Sequence, residues 1–241
     1  MPLNGKNVYI TGGTGGLGKP LVERLRAAGA RVTVHDFEKD GDLSANVDTI
    51  AGTLAVETPD ILINMAGMNG FDYCENQNLR AILDLNLWVP MRLTQAVLPG
   101  MKKKGGGHIV NIGSMTALIP LPHFTGYVTS KAGLKAFSDS LRREVSQAGI
   151  RVTYIAPRAI KTPMNTGLMA ELNRRTHVAS DDPADVAGKI FGAILSGKKE
   201  MRIGFPERLF AAVNAVCPAL VDRGIESNRR IGEEILKQSN L

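Results

Sequence analysis

The stretch Thr11-Gly12-Gly13-Thr14-Gly15-Gly16-Leu17-Gly18 most narrows what this chain can become. Before it, Val8-Tyr9-Ile10 reads as a short apolar strand. After it, Leu17, Leu21 and Leu25 recur every fourth residue, as on one face of a helix that Gly29 stops. Glycines between a strand and a helix permit a tight turn and let the backbone approach a pyrophosphate. The helix N-terminus then supplies unpaired N–H groups and the positive end of a dipole. A glycine run alone also fits a plain structural turn, but the strand–turn–helix context favours a dinucleotide site at Gly12, Thr14, Gly16, Leu17 and Gly18.

The rest of the chain repeats the alternation. Val32-Thr33-Val34, Ile61-Leu62-Ile63, Ile109-Val110-Asn111-Ile112 and Val152 to Ile155 read as strands. Helical patterns lie over Val47 to Leu54, Asn78 to Lys104 and Gly126 to Ala148. Asp182-Pro183 opens a further helix as N-cap and first residue. Strands alternating with helices pair in parallel through right-handed crossovers. The expectation is a doubly wound, Rossmann-type parallel sheet in three α/β/α layers, one domain over 1–241. Within it, 163–180 is a substrate-flanking segment and 205–241 a C-terminal helical extension.

Asp36 ends the second strand, where a carboxylate can accept hydrogen bonds from the adenosine ribose hydroxyls. It would repel a ribose 2′-phosphate by about 4 kcal/mol per charge pair at an effective dielectric of about 20. Gly15 and Phe37 offer no guanidinium to offset this. NAD is therefore favoured, and nearby His35 and Lys39 keep NADP as the alternative.

Tyr127 and Lys131 are four residues apart and share a helix face. A neighbouring ammonium favours phenolate over phenol, which would bring the tyrosine toward working pH and make it a general acid/base. Ser114 follows a strand at the end of the sheet where α/β folds bind ligands, and its hydroxyl can polarise a carbonyl oxygen.

Together these motifs resemble the short-chain dehydrogenase/reductase family over about residues 5 to 165. TGxxxGxG appears as Thr11-Gly12, Gly16 and Gly18. NNAG appears as Asn64-Met65-Ala66-Gly67, and YxxxK as Tyr127-Val128-Thr129-Ser130-Lys131. Ser114 stands thirteen residues before the tyrosine, and Asn86 matches the family's helix asparagine. The resemblance implies hydride transfer between a nicotinamide and a carbonyl or secondary alcohol. Tyr127 would exchange the proton, Lys131 would tune Tyr127 and bind the nicotinamide ribose, Ser114 would position the substrate oxygen, and Asn86 would organise a relay water. Asn64, Ala66 and Gly67 would line the cofactor groove, and Pro157, Ile160 and Thr162 would sit beside the nicotinamide amide.

Two departures stand out. Only one helix pattern fits between Asp36 and Ile61, and Asp42-Leu43 resembles the family's short third strand, whose acidic–apolar pair touches the adenine. Arg158 stands where the family often has glycine, and is expected as a surface residue, with contact to an anionic group as the alternative.

The formal net charge is +6, from 29 Lys+Arg and 23 Asp+Glu. Such a balance suits a mildly basic soluble protein, with an acyl-carrier protein or a membrane surface as weaker alternatives. Without aromatic interleaving, nucleic acid is not an expected partner. Cys74 and Cys217 form no CxxC pair, and no apolar signal segment opens the chain, so a cytoplasmic setting is expected. His35, His108, His123 and His177 lack ligand spacing, so no metal is expected. Leu118, Ile119, Leu121, Phe124, Met164, Leu168 and Met169 suggest an apolar substrate or tail, or equally the packing of a lid. Plausible substrates are a 3-oxoacyl thioester, a steroid-like ketone or a small aldehyde. Leu209, Val213, Val216 and Leu220 form a C-terminal stripe that can cover the pocket, join subunits or touch a membrane interface, with core or oligomer packing as the default; a homodimer or homotetramer is expected. The competing reading is a non-catalytic dinucleotide sensor on the same fold.

Overall fold

The structure, a computed structural model, describes residues 1–35 and 37–239. Six parallel strands form one sheet: β1 Asn7–Thr11, β2 Arg31–His35, β3 Ile61–Asn64, β4 Gly107–Ile112, β5 Ile150–Ala156 and β6 Glu200–Arg202. Their order is β2-β1-β3-β4-β5-β6, so the winding direction reverses between β1 and β3. That reversal opens a crevice at the C-terminal strand ends, where doubly wound sheets take ligands. Thr11 pairs in register with Asn64, bringing the two segments that leave these strands to one place.

Helices cover both faces. α1 Gly18–Ala27 packs with a later helix, α8 Pro183–Ser196, over one face. Leu21, Leu25, Val186 and Ile190 are fully or almost fully buried there. The other face carries α3 Val47–Glu57, α5 Val89–Lys103 and α6 Thr125–Glu144. Leu54, Leu93, Val97 and Leu141 fill that side. The three-layer α/β/α reading therefore stands.

Local chemistry explains most boundaries. Asp182 caps α8 by accepting from the Ala184 amide at 2.8 Å, with Pro183 as first residue. α5 ends on Lys102 and Lys103, Lys104 donates to the Thr58 carbonyl, and Gly105 follows at φ +70.

Several expectations need correction. A single helical turn, α2 Phe37–Asp40, precedes α3. Asp42-Leu43 is a turn and no strand: Asp42 Oδ1 accepts from the Ser44 amide at 2.7 Å, an Asx turn leading toward α3. The region from Asn78 contains α4 Leu79–Leu83 and one π-turn, Asp84–Trp88, before α5. α6 stops at Glu144, short of Ala148.

The C-terminal stripe is not one helix. α9 Phe205–Val216 ends before Cys217, and Pro218 starts α10 Pro218–Ser239. Proline cannot continue a helix interior but suits a first position. Leu209, Val216 and Leu220 are exposed, so core packing does not explain them. α10 instead packs with α7 Leu168–Arg175 through Leu172 and Ile235 against Phe124. His123, at φ +67, bonds the Arg229 carbonyl through Nε2 at 3.1 Å and ties α10 to the loop before α6.

Candidate active site

The glycine turn is shaped by close backbone approach. Gly12 has φ +72, and a Cβ there would lie 2.8 Å from the Ala66 amide nitrogen. A Cβ on Gly18 would lie 2.2 Å from the Gly12 carbonyl oxygen. Thr11 Oγ1 accepts from the amides of Met65 at 3.1 Å and Ala66 at 3.2 Å, locking the β3 exit onto the β1 exit. The first turn of α1 holds no acid and has no side-chain cap, which suits an anion at its N-terminus.

Two cavities meet at this turn. One, of about 630 Å³, lies toward β2 and is lined by Gly12, Thr14, His35, Asp42, Leu43, Ala66 and Gly67. Arg80 also lines it but is salt-bridged to Asp84 at 2.6 Å. Asp36 lies outside the described residues. The other cavity, of about 760 Å³, runs from Gly16, Leu17 and Gly18 to Ser114, Tyr127 and Lys131, with Pro157, Ile160 and Thr162 on its far wall. A Cβ on Gly16 would lie 2.9 Å from Thr162 Cγ2, so the segment after β5 closes directly over the turn.

Ser114 leaves β4 and caps a short 3₁₀ turn, its Oγ accepting from Thr116 Oγ1 at 2.9 Å. Tyr127 and Lys131 stand one turn apart near the start of α6, and the Ser114 side chain lies close enough to act on the buried Tyr127 phenol. Lys131 Nζ donates to the Ile112 carbonyl at 3.1 Å and lies 5.8 Å from the Tyr127 ring centroid. Burial lowers Lys131 to about 8, because the ammonium has lost water without gaining a carboxylate. Burial also raises Tyr127 above its ordinary value, opposed by the Ser114 hydroxyl. This corrects the expectation of a depressed tyrosine: desolvation of the phenolate outweighs its neighbours.

Asn86 and Asn64 sit behind the cavities and line neither. Asn86, in the π-turn, accepts from the Met68 amide at 2.9 Å and donates to the Met68 carbonyl at 2.8 Å and Ser130 Oγ at 3.0 Å. A Cβ on Gly67 would lie 3.0 Å from Asn86 Oδ1 and 3.4 Å from Lys131 Nζ, so all three meet. Asn64 donates to Asn111 Oδ1 at 2.8 Å and joins β3 to β4 inside the sheet.

Sequence reasoning missed three features. Arg158 is no free surface residue: it salt-bridges Asp181 at 2.6 Å and Glu207 at 3.6 Å, tying the loop after β5 to the start of α9. Tyr154, on β5, lies behind Ser114 and takes its amide hydrogen at 3.4 Å. Gly113 makes room for it, since a Cβ there would lie 2.0 Å from the Tyr154 hydroxyl oxygen. His123, Pro206, Phe210 and Ile225 complete the apolar end of the large cavity. Only Gly113 beside Ser114 offered a local signal; the other contacts join distant segments.

Residues 35–173 match the family described as short chain dehydrogenase. Dehydrogenase/reductase SDR family member 7B of Danio rerio is 30% identical over 266 residues, covering 93% of this chain and 86% of that protein. The 3-oxoacyl-(acyl-carrier-protein) reductase of Vibrio cholerae is 32% identical over 212 residues, covering 78% and 86%. Among solved structures, a short chain dehydrogenase from Burkholderia cenocepacia in complex with NADP superposes with TM-score 0.78 at 25% identity, covering 92% of this chain and 99% of that one. A 3-ketoacyl-(acyl-carrier-protein) reductase from Brucella melitensis complexed with NADH gives TM-score 0.72 at 24% identity, covering 83% and 96%, a likeness of fold.

Proposed function

Because the chain belongs to the short-chain dehydrogenase/reductase family, we propose that it moves hydride between a nicotinamide dinucleotide and a carbonyl or secondary alcohol on an apolar body. The observation that carries this reading is the meeting of Ser114, Tyr127 and Lys131 at the end of the glycine-walled groove. The groove suits a dinucleotide, since side chains at Gly12 or Gly18 would collide with its backbone walls. When bound, the nicotinamide supplies or accepts the hydride.

The chain's own groups supply geometry and the proton. Ser114 and Tyr127 hydroxyls together hold the substrate oxygen. Burial keeps Tyr127 protonated, so it stands ready to donate to a developing alkoxide. The Lys131 ammonium, held on the Ile112 carbonyl, stabilises the negative charge that Tyr127 then acquires. Asn86 positions: its amide is spent on Met68 and Ser130, which fixes Gly67 beside Lys131.

NAD is the proposed cofactor. Asp36 supports it by charge, and so does the adenosine-side cavity. Among the described residues lining that cavity, Asp42 and Asp84 are acids and the one guanidinium, Arg80, is already paired. Met115, Ile119, Leu121, Phe124, Met164 and Met169 support an apolar substrate body. A 3-oxoacyl thioester, in line with the Vibrio relative's name, fits that description.

The test is calorimetric titration with NADH and NADPH, followed by a screen of ketones, aldehydes, 3-oxoacyl thioesters and secondary alcohols in both directions. NADH should bind more tightly, and ketones with apolar bodies should be turned over. Tighter NADPH binding would refute the Asp36 argument. Dinucleotide binding with no turnover on any substrate would replace the enzyme reading by that of a sensor.

A further inference from the structure

α9 presents apolar side chains away from the protein. Phe205, Leu209 and Val216 are 79%, 62% and 87% exposed, and with exposed Ala212 they share one helix face. The opposite face holds the helix down through buried Ala211 and through Asn214, which donates to the Leu118 carbonyl at 3.1 Å. Past the break at Cys217 the ridge continues with exposed Leu220. From Leu209 to Val221 no side chain carries a charge. Arg208 and Arg223 bracket that run. Both are exposed, and neither has an ion pair among the described residues. The nearest acids in sequence are Asp222, beside Arg223, and Glu207, beside Arg208 and paired with Arg158.

We propose that α9 and the first turn of α10 rest in the interface of an anionic lipid bilayer. Phe205, Leu209, Val216 and Leu220 enter among the acyl chains, and Arg208 and Arg223 meet the headgroup phosphates. Charge separates this occupant from a second copy of the chain. A two-fold pairing of α9 would offer Arg208 and Arg223 one exposed acid per chain beside the ridge, Asp222, because Glu207 is already paired with Arg158. A phosphate surface supplies the missing anions, and the net charge of +6 adds to the attraction. The cavity points the same way. Phe210 and Gly224 line it and are also exposed, so it opens beside the ridge. A protein copy there would cover the opening, while a bilayer leaves apolar substrates a route in. No described helix is long and apolar enough to cross a membrane, so the contact is with one leaflet.

The experiment is co-sedimentation of the full chain with vesicles of phosphatidylcholine alone, or mixed with phosphatidylglycerol, alongside its mass by light scattering. The protein should pellet with the mixed vesicles, weakly with the neutral ones, and less as salt rises. The double variant Leu209→Ser, Val216→Ser should lower vesicle affinity by about tenfold or more. Arg208→Glu, Arg223→Glu should abolish the preference for anionic vesicles. Both variants should keep the parent mass and dinucleotide affinity, which also reports that they are folded. Wild-type protein that stays in the supernatant with both vesicles overturns the proposal, as does a serine variant that pellets unchanged. A serine variant of smaller mass than its parent assigns the ridge to a second copy and equally overturns it. None of these readouts depends on turnover, so they stand apart from the hydride-transfer reading.

Discussion

The two walls of the large cavity treat charge in opposite ways. The wall built from β4 and α6 buries Lys131 with no carboxylate partner among the described residues, its ammonium held on a carbonyl oxygen, and its pKa falls to about 8. The wall built from the loop after β5 and from α9 sets Arg158 between Asp181 and Glu207. One turn beyond Lys131 on the same helix, Lys135 is paired with both Asp139 and Glu200. A compensated charge holds geometry. An uncompensated buried charge destabilises the resting fold and is retained where a reaction generates the opposite charge beside it. We therefore propose chemistry for the first wall and shape for the second.

Tyr127→Phe should have the largest effect, because it removes the only proposed proton donor and leaves the packing intact. Turnover should fall by about a hundredfold to ten-thousandfold, the usual worth of a general acid. Dinucleotide affinity should change little, because Phe leaves the groove walls in place. Steady-state kinetics on any substrate found active checks this, and equal turnover by the variant would break the assignment of chemistry to this wall.

Lys131→Met should separate function from stability. Methionine fills a similar volume without a charge. Activity should be lost, while the cofactor-free protein at pH 7 should become more stable, by up to about 3 kcal/mol for a shift of this size. The sign follows from the depressed pKa. Below about 8 the native protein holds a charged lysine that the unfolded chain would hold more easily. As pH rises from about 8 toward 10.5, the native lysine gives up its proton first and the wild type gains stability. The gap between variant and wild type should therefore close across that range in urea titrations. A variant less stable than wild type at pH 7 would mean that the hydrogen bond to Ile112 outweighs the desolvation.

What was readable in advance divides along the same line. The strands, the glycine turn and the pairing of Tyr127 with Lys131 rest on periodicity and local spacing, and the structure brings them to one crevice. The second wall rests on contacts between distant segments, such as Arg158 with Asp181 and Glu207, which no local pattern encodes. β6 is three residues long with two charged, too short and too polar to show as a strand. The helix break at Cys217 was readable from Pro218, but the apolar spacing on either side masked it. The sign of the Tyr127 shift was misread because sequence reveals a neighbouring charge but not the loss of water around it.

The smallest effect is expected on the second wall. Arg158→Met leaves the Asp181 and Glu207 carboxylates, both partly buried, without their cation. Because these groups retain some solvent, the loss of stability should be about 1–2 kcal/mol. It should appear mainly as a weaker KM, since the loop carrying Pro157 and Ile160 loosens while Tyr127 and Lys131 stay in place. The acid limb carries a second signature. In the wild type, the hydrogen bond from Arg158 holds Asp181 below the ordinary carboxylate range. That stabilisation is present above the unfolded carboxylate pKa and is lost as pH falls through the lower native value. The variant should lack this part of the acid loss, so the two proteins should converge in stability at low pH. Arg158→Lys, which keeps the charge but not the two-armed reach, should fall between them. If Arg158→Met instead lowered turnover as far as Tyr127→Phe at unchanged KM, the division between a chemical wall and a shaping wall would fail, and Arg158 would belong with the reacting groups.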